Sequence, residues 1–160
     1  MPKFKIISGF TFIEVFLVVA ILSVIFTVVL IILKPAENKQ KAQDNKRLLD
    51  LSKIYEAAHE YKLKNGVYPG NTNVVYTSNT GFSLKLTDPI NGWIFADLSN
   101  YLQIQPIDPV NEVPNLYTYT TNGDDFELNA VLNYYKDKMQ NDLGNNANVF
   151  EMGTNLELIN

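Results

Sequence analysis

Glu14 is the residue whose surroundings ask most of its chemistry. It heads an apolar run from Val15 to Leu33 that carries no charge and only Ser23 and Thr27 as polar residues. An ionised carboxylate one turn into such a helix is expensive unless a partner meets it. A plain membrane anchor has no use for one. The other reactive groups are sparse. His59 is the single histidine and lies between Ala58 and Glu60 in a helical stretch, so neither a triad nor a histidine metal cluster can be built on it, and it reads as a surface residue. Asp124 and Asp125 are adjacent at the entry to a strand, where neighbouring side chains point apart and make a poor acid and base pair. Cysteine is absent, which excludes a thiol nucleophile, a thiolate metal site and a disulfide framework. No glycine loop of the phosphate-cradling kind occurs. Together these absences argue against an enzyme.

The element that positions Glu14 is the apolar run itself. Its 19 residues make a helix of about 28 Å, close to the roughly 30 Å of a bilayer's hydrocarbon core. Lys3 and Lys5 give a short basic leader before Gly9, and the positive-inside tendency holds such a leader in the cytoplasm with the bulk of the chain outside. An ordinary signal peptide has a shorter apolar core, of about 7–15 residues, and an A-x-A-like site. An uncleaved anchor explains the length and the basic flank but leaves the spacing of Gly9, Phe10, Thr11 and Glu14 as coincidence.

The stretch Gly9-Phe10-Thr11-Phe12-Ile13-Glu14, followed by about twenty apolar residues, resembles the leader of type IV prepilins and pseudopilins. The resemblance implies cleavage between Gly9 and Phe10 by a membrane aspartyl prepilin peptidase, methylation of the new amino group on Phe10, and pairing of Glu14 with the N-terminal amine of a neighbouring subunit. Inside lipid a carboxylate and an ammonium lower each other's burial cost, so such a pair fixes register between subunits even where its net contribution to stability is small. The family often carries a helix-bending proline inside the apolar segment, where this chain has Ile31; here the proline comes later, at Lys34-Pro35, and predicts a bend or a brief interruption. Tyr68-Pro69 after the helix and the Asp108-Pro109 segment also resemble members of this family.

One modest globular domain plus one membrane element is what 160 residues with 46% hydrophobic and 12% aromatic content allow. The net charge of −4 conceals an asymmetry: residues 1–64 carry ten Lys/Arg against six Asp/Glu, and residues 65–160 three against eleven. An acidic head disfavours DNA phosphates, so nucleic acid is an unexpected partner. Lys34, Lys39, Lys41, Lys46 and Arg47 follow the apolar run, placed either to meet lipid headgroups and acidic faces of adjacent subunits or to form a solvated helix face. Major pseudopilins of type II secretion hold calcium in C-terminal loops, and the resemblance makes Asn122, Asp124, Asp125 and Asp142 oxygen-bearing candidates. Their spacing fits no fixed pattern, and solvated turn residues are the simpler reading. No other cofactor is expected.

Along the chain, Leu48, Leu51, Ile54, Ala58 and Tyr61 recur at spacings of three and four and predict an amphipathic continuation of the helix as far as Lys64, stopped by Asn65-Gly66. Short strands are expected at Val74–Thr77 and Phe82–Leu86, and a short helix at Ala96–Tyr101. Leu116–Thr120 and Phe126–Leu132 alternate at period two across Asn122-Gly123, a hairpin signal, with Phe126, Leu128, Ala130 and Leu132 facing the helix stripe and Glu127, Asn129 and Val131 facing away. A helical turn is expected within Tyr134–Gln140, a loop at Asp142–Asn148, and closing strands at Val149–Met152 and Leu156–Ile159.

The expected fold is α+β: a long N-terminal transmembrane helix over about 10–64 whose C-terminal half packs on a small antiparallel sheet. The domains are a leader at 1–9, a transmembrane and filament-core helix at 10–34, an amphipathic extension at 35–65 and a globular head at 66–160. A helix that is apolar all round is stable only where no water touches it, which points to a structural subunit of a type IV pilus-like filament. A pseudopilin of type II secretion or of a DNA-uptake system is the alternative within the family. A monomeric, membrane-tethered binding module is the alternative from another class, with Tyr68, Tyr76, Trp93, Tyr101, Tyr117 and Tyr119 as its binding aromatics, although at this density most should be core. The implied partners are further copies of the chain, other pilins, the peptidase and methyltransferase, the assembly platform and its ATPase. The implied location is a single pass through the inner membrane with the head outside the cytoplasm, then a cell-surface or periplasmic filament.

Overall fold

The computed structural model describes residues 9–80 and 85–159. Two compact units divide the chain, one ending at Asn38 and the other starting at Lys39. Helix α1 spans Phe12–Leu33 and α2 spans Pro35–Asn65. Strands β1 (Tyr76–Thr77), β2 (Tyr117–Thr121) and β3 (Phe126–Ala130) precede a short helix α3 (Lys136–Gln140) and strand β4 (Phe150–Gly153). The architecture is α+β, as the hydrophobic patterning predicts.

The expected interruption falls at Lys34, whose φ of 40° and ψ of 58° put it in the left-handed region. Pro35 then occupies the first position of α2, where its missing N–H is not needed and its fixed φ suits a helix start. Lys34 ion-pairs with Glu37 at 2.9 Å, and the Asn38 side chain donates to the Leu33 carbonyl. At the far end α2 stops at Asn65, and Gly66 turns the chain with a φ of 82°.

The four strands form one antiparallel sheet in the order β1-β2-β3-β4. Tyr119 stands opposite Leu128, and Thr121 opposite Phe126, across a turn in which Gly123 takes a φ of 97°. One face of the sheet gives Tyr117, Tyr119, Phe126, Leu128 and Ala130 to a core shared with Leu51, Ile54 and Ala58 of α2 and with Trp93, Ile94 and Leu98. The α2 stripe read from the sequence is thus the packed one, with Ala57 added to it.

Several local expectations are corrected. Ala96–Tyr101 is not helical but runs as bends and turns. The Leu98 N–H donates to the Pro89 carbonyl at 2.7 Å, and the residues just before the segment are anchored too: Trp93 Nε1 donates to the Pro106 carbonyl at 2.7 Å, and the Gln105 side chain clamps both the N–H and the C=O of Ile94. Asp97 takes the Ser99 N–H, a local turn that competes with helix. The strand expected at Phe82–Leu86 lies partly outside the described residues, and Lys85 and Leu86 are not in a strand. Of Val74–Thr77 only Tyr76 and Thr77 pair in the sheet. Leu156–Ile159 forms no strand either, because its backbone N–H groups serve a buried side chain. The outer face of β3 is the largest surprise: Glu127 and Asn129 face away from the helix, yet both are buried.

Candidate assembly surface

Helix α1 begins at an N-cap. The Thr11 hydroxyl accepts the Glu14 N–H, and Glu14 Oε2 accepts both the Thr11 N–H and the Thr11 hydroxyl at 2.7 Å. This capping box satisfies two of the orphan donors at the helix start, and its carboxylate lies at the positive end of the helix dipole. Glu14 is therefore fixed at the head of α1 by Thr11, a role the spacing of the two residues signals but composition does not. Ser23 and Thr27 donate to the carbonyls of Val19 and Ser23, four residues back. The helix thus presents almost nothing to its surroundings but hydrocarbon.

None of the 22 residues of α1 is buried. Phe12, Phe16, Leu22 and Phe26 all stand more than half exposed. Such a surface has no stable place in water, and α1 is long and apolar enough to cross a membrane.

The unit that begins at Lys39 is built on the opposite plan and encloses even its charges. Arg47, expected among solvated or lipid-facing cations, is fully buried on α2. Its Nε and Nη2 form a fork on Asp108 at 2.6 and 3.1 Å, and its Nη1 reaches Asp44 at 2.7 Å. Burial works against the guanidinium's charge, but the bonds from Asp108 and Asp44 outweigh it and hold the group above its ordinary pKa. Asp44 also accepts the backbone N–H groups of Asn133, Tyr134 and Tyr135, tying α2 to the start of α3. Asp50 takes Lys46 and the Tyr117 hydroxyl. Burial, with the Asp50 charge behind it, pushes the Tyr117 phenol far up. Periodicity alone did not find these residues, since Asp44, Arg47 and Asp50 look like a solvent face until the carboxylate of Asp108 arrives from 61 residues away.

The remaining candidates fall elsewhere. His59 is no surface residue: it is half-buried, its ring packs on Tyr55 and Phe126, and its Nδ1 lies 3.1 Å from the Tyr68 hydroxyl. Tyr68, Tyr76, Trp93, Tyr117 and Tyr119 are core, and Tyr101 packs against it. Asn122 Oδ1 accepts the N–H groups of Asp124 and Asp125 within the hairpin turn. Asp142 accepts those of Gly144 and Glu151 in the loop before β4. Among the described residues no three His, Cys, Asp or Glu side chains are grouped to hold a metal ion. A groove of about 670 Å³ beside α2, lined by Lys46, Lys53, Leu102, Ile104 and Ile107 among others, is a recess on this unit.

Over 126 residues the chain is 32% identical to the type II secretion system core protein G of Vibrio cholerae serotype O1, a match that covers 78% of this chain and 77% of that protein. The chain belongs to the pilin and pseudopilin family. No family model and no solved structure matches it. Membership accounts for the contrast between the two units of this pilin-like structural subunit. A head encloses its own core, and the apolar residues of α1 are left exposed.

Proposed function

We propose that the protein is a filament subunit, held in the membrane by α1, matured by cleavage between Gly9 and Phe10, and polymerised through contacts between α1 helices of successive copies. Methylation of the new Phe10 amine and its pairing with Glu14 of a neighbouring copy complete the reading. The observation that carries it is the exposure of α1 along its whole length with one carboxylate fixed at its head. In hydrocarbon that carboxylate lowers its cost by meeting a cation, and a neighbour's freed N-terminal amine is a cation generated at the right end of the right helix. The peptidase, assembly platform, ATPase and other pilins are the partners this reading requires, and the head stays outside the cytoplasm.

A secretion pseudopilus is the second reading, favoured by the likeness to the Vibrio cholerae secretion protein. Both readings use the same assembly chemistry. The test is Glu14→Ala in cells carrying the assembly machinery, together with mass measurement of the mature chain. The expected result is membrane-inserted protein that no longer polymerises, and wild-type protein that begins at a methylated Phe10. Normal fibres from the variant, or wild-type fibres built from uncleaved chain, would overturn the proposal.

A further inference from the structure

The outer face of the sheet holds two buried acids, one of them the Glu127 that the alternation turns away from the helix. Glu127 is fully buried and Glu151 is 3% exposed. They lie on β3 and β4 as diagonal neighbours on one face, since Glu127 stands opposite Gly153 and Asn129 opposite Glu151. The register thus puts both acidic side chains on one buried face of two neighbouring strands. Glu127 Oε1 accepts the Asn129 amide, and its Oε2 accepts the N–H groups of Leu158 and Ile159. Glu151 Oε2 accepts the Asn146 N–H. Two buried acceptors are left over, Glu151 Oε1 and Asn129 Oδ1.

A buried carboxyl group with an unbonded oxygen and no counter-charge is less costly when it carries a proton. That proton would also turn Glu151 Oε1 from an orphan acceptor into a donor, on the face it shares with Asn129. The charged and titratable groups around the pair reinforce the point. Asp142 binds the Glu151 backbone, and Tyr55 and Glu56 of α2 border the same cavity of about 440 Å³ as Glu151. Helix α3, which packs on β4, adds Lys136, Asp137 and Lys138, and no ion pair among the described residues includes Glu127 or Glu151. Without a counter-charge and with one oxygen unbonded, the buried Glu151 carboxyl is better held neutral.

We propose that Glu151 carries a proton at neutral pH and that, beside Glu127, it forms a proton-dependent clasp that fastens the 142–149 loop and the C-terminal segment onto the outer face of the sheet. The fastening is direct. The loop is held through Asn146, and Gly144 packs so closely on the Glu151 carboxyl that a Cβ there would collide with it. The C-terminal segment is held through Leu158 and Ile159. Burial is the main influence raising the Glu151 carboxyl above its ordinary range; the Asn146 bond opposes it, and the charges of Glu127 and Asp142 add to the rise. An acid raised in the folded state binds more protons folded than unfolded, so stability falls as pH climbs from the ordinary glutamate value toward the folded one.

The clasp does not depend on filament assembly, so it is tested on the full chain in detergent. The infrared carbonyl band of an un-ionised carboxylic acid should be present at neutral pH and lost in Glu151→Gln. The wild-type unfolding midpoint should fall as pH rises above the glutamate range. In Glu151→Gln, whose amide donates in place of the proton, the midpoint should stay level and exceed wild type by a few degrees at alkaline pH. Absence of the band in the wild type overturns the proposal even if the variant fails to fold. So do parallel pH curves, or a calcium-induced rise in the wild-type midpoint that abolishes its pH dependence, because the oxygens would then belong to a cation.

Discussion

Helix α1 and the head that follows it obey opposite rules of burial. Along α1 the apolar side chains Val15 to Leu33 stand open to their surroundings and the polar ones bond to their own backbone. In the head, even Asp44, Arg47, Glu127 and Glu151 are enclosed. The first pattern is stable only when something outside the chain supplies apolar cover, and the second supplies its own. A single chain is thus built for two solvents, and its exposed apolar helix needs cover from a membrane or from other subunits.

The largest expected effect that sharpens this contrast is in the head. Arg47→Ala leaves Asp44 and Asp108 buried without their cation and should cost about 3–5 kcal/mol, read as a lower midpoint in urea denaturation of the full chain in detergent. Leu51→Ala, at a fully buried core position, should cost about 2–5 kcal/mol with the same readout. Gly123→Ala places a side chain at a φ of 97° and should cost about 1–2 kcal/mol. At the other extreme, Leu22→Ala on α1 should leave the head's midpoint unchanged within about 0.5 kcal/mol and lower only the yield of fibres. A shift of the head midpoint by Leu22→Ala as large as that of Leu51→Ala would break the contrast.

How much was legible beforehand follows the same divide. Helix α1 declares itself through hydropathy, the α2 stripe through Leu51, Ile54 and Ala58, and the hairpin through Asn122-Gly123, because each is decided by residues near one another in sequence. Capping by Thr11 is equally local. Where partners outside the segment decide, sequence patterns mislead: Ala96–Tyr101 has helix-compatible residues, but the Leu98 N–H goes to the Pro89 carbonyl and the preceding Trp93 and Ile94 are tied to Pro106 and Gln105. Arg47 and Asp44 look like a solvated face, and Glu127 and Asn129 look like an open strand face. In each case a distant segment supplies the partner: Asp108 for Arg47, the Asn133–Tyr135 backbone for Asp44, and Leu158 and Ile159 for Glu127. His59 looks like a surface residue for the same reason, since Tyr68 and Phe126 pack against its ring only in the fold.

The absence of native cysteine allows the central claim to be tested with single cysteines. Ile21→Cys on α1, oxidised in sheared fibres, should yield disulfide-linked dimers of otherwise wild-type protein, and none when Glu14→Ala is added. Fibres that carry this protein yet give no α1 cross-link at any position from Val18 to Val24, or cross-links that persist undiminished without Glu14, would contradict the account.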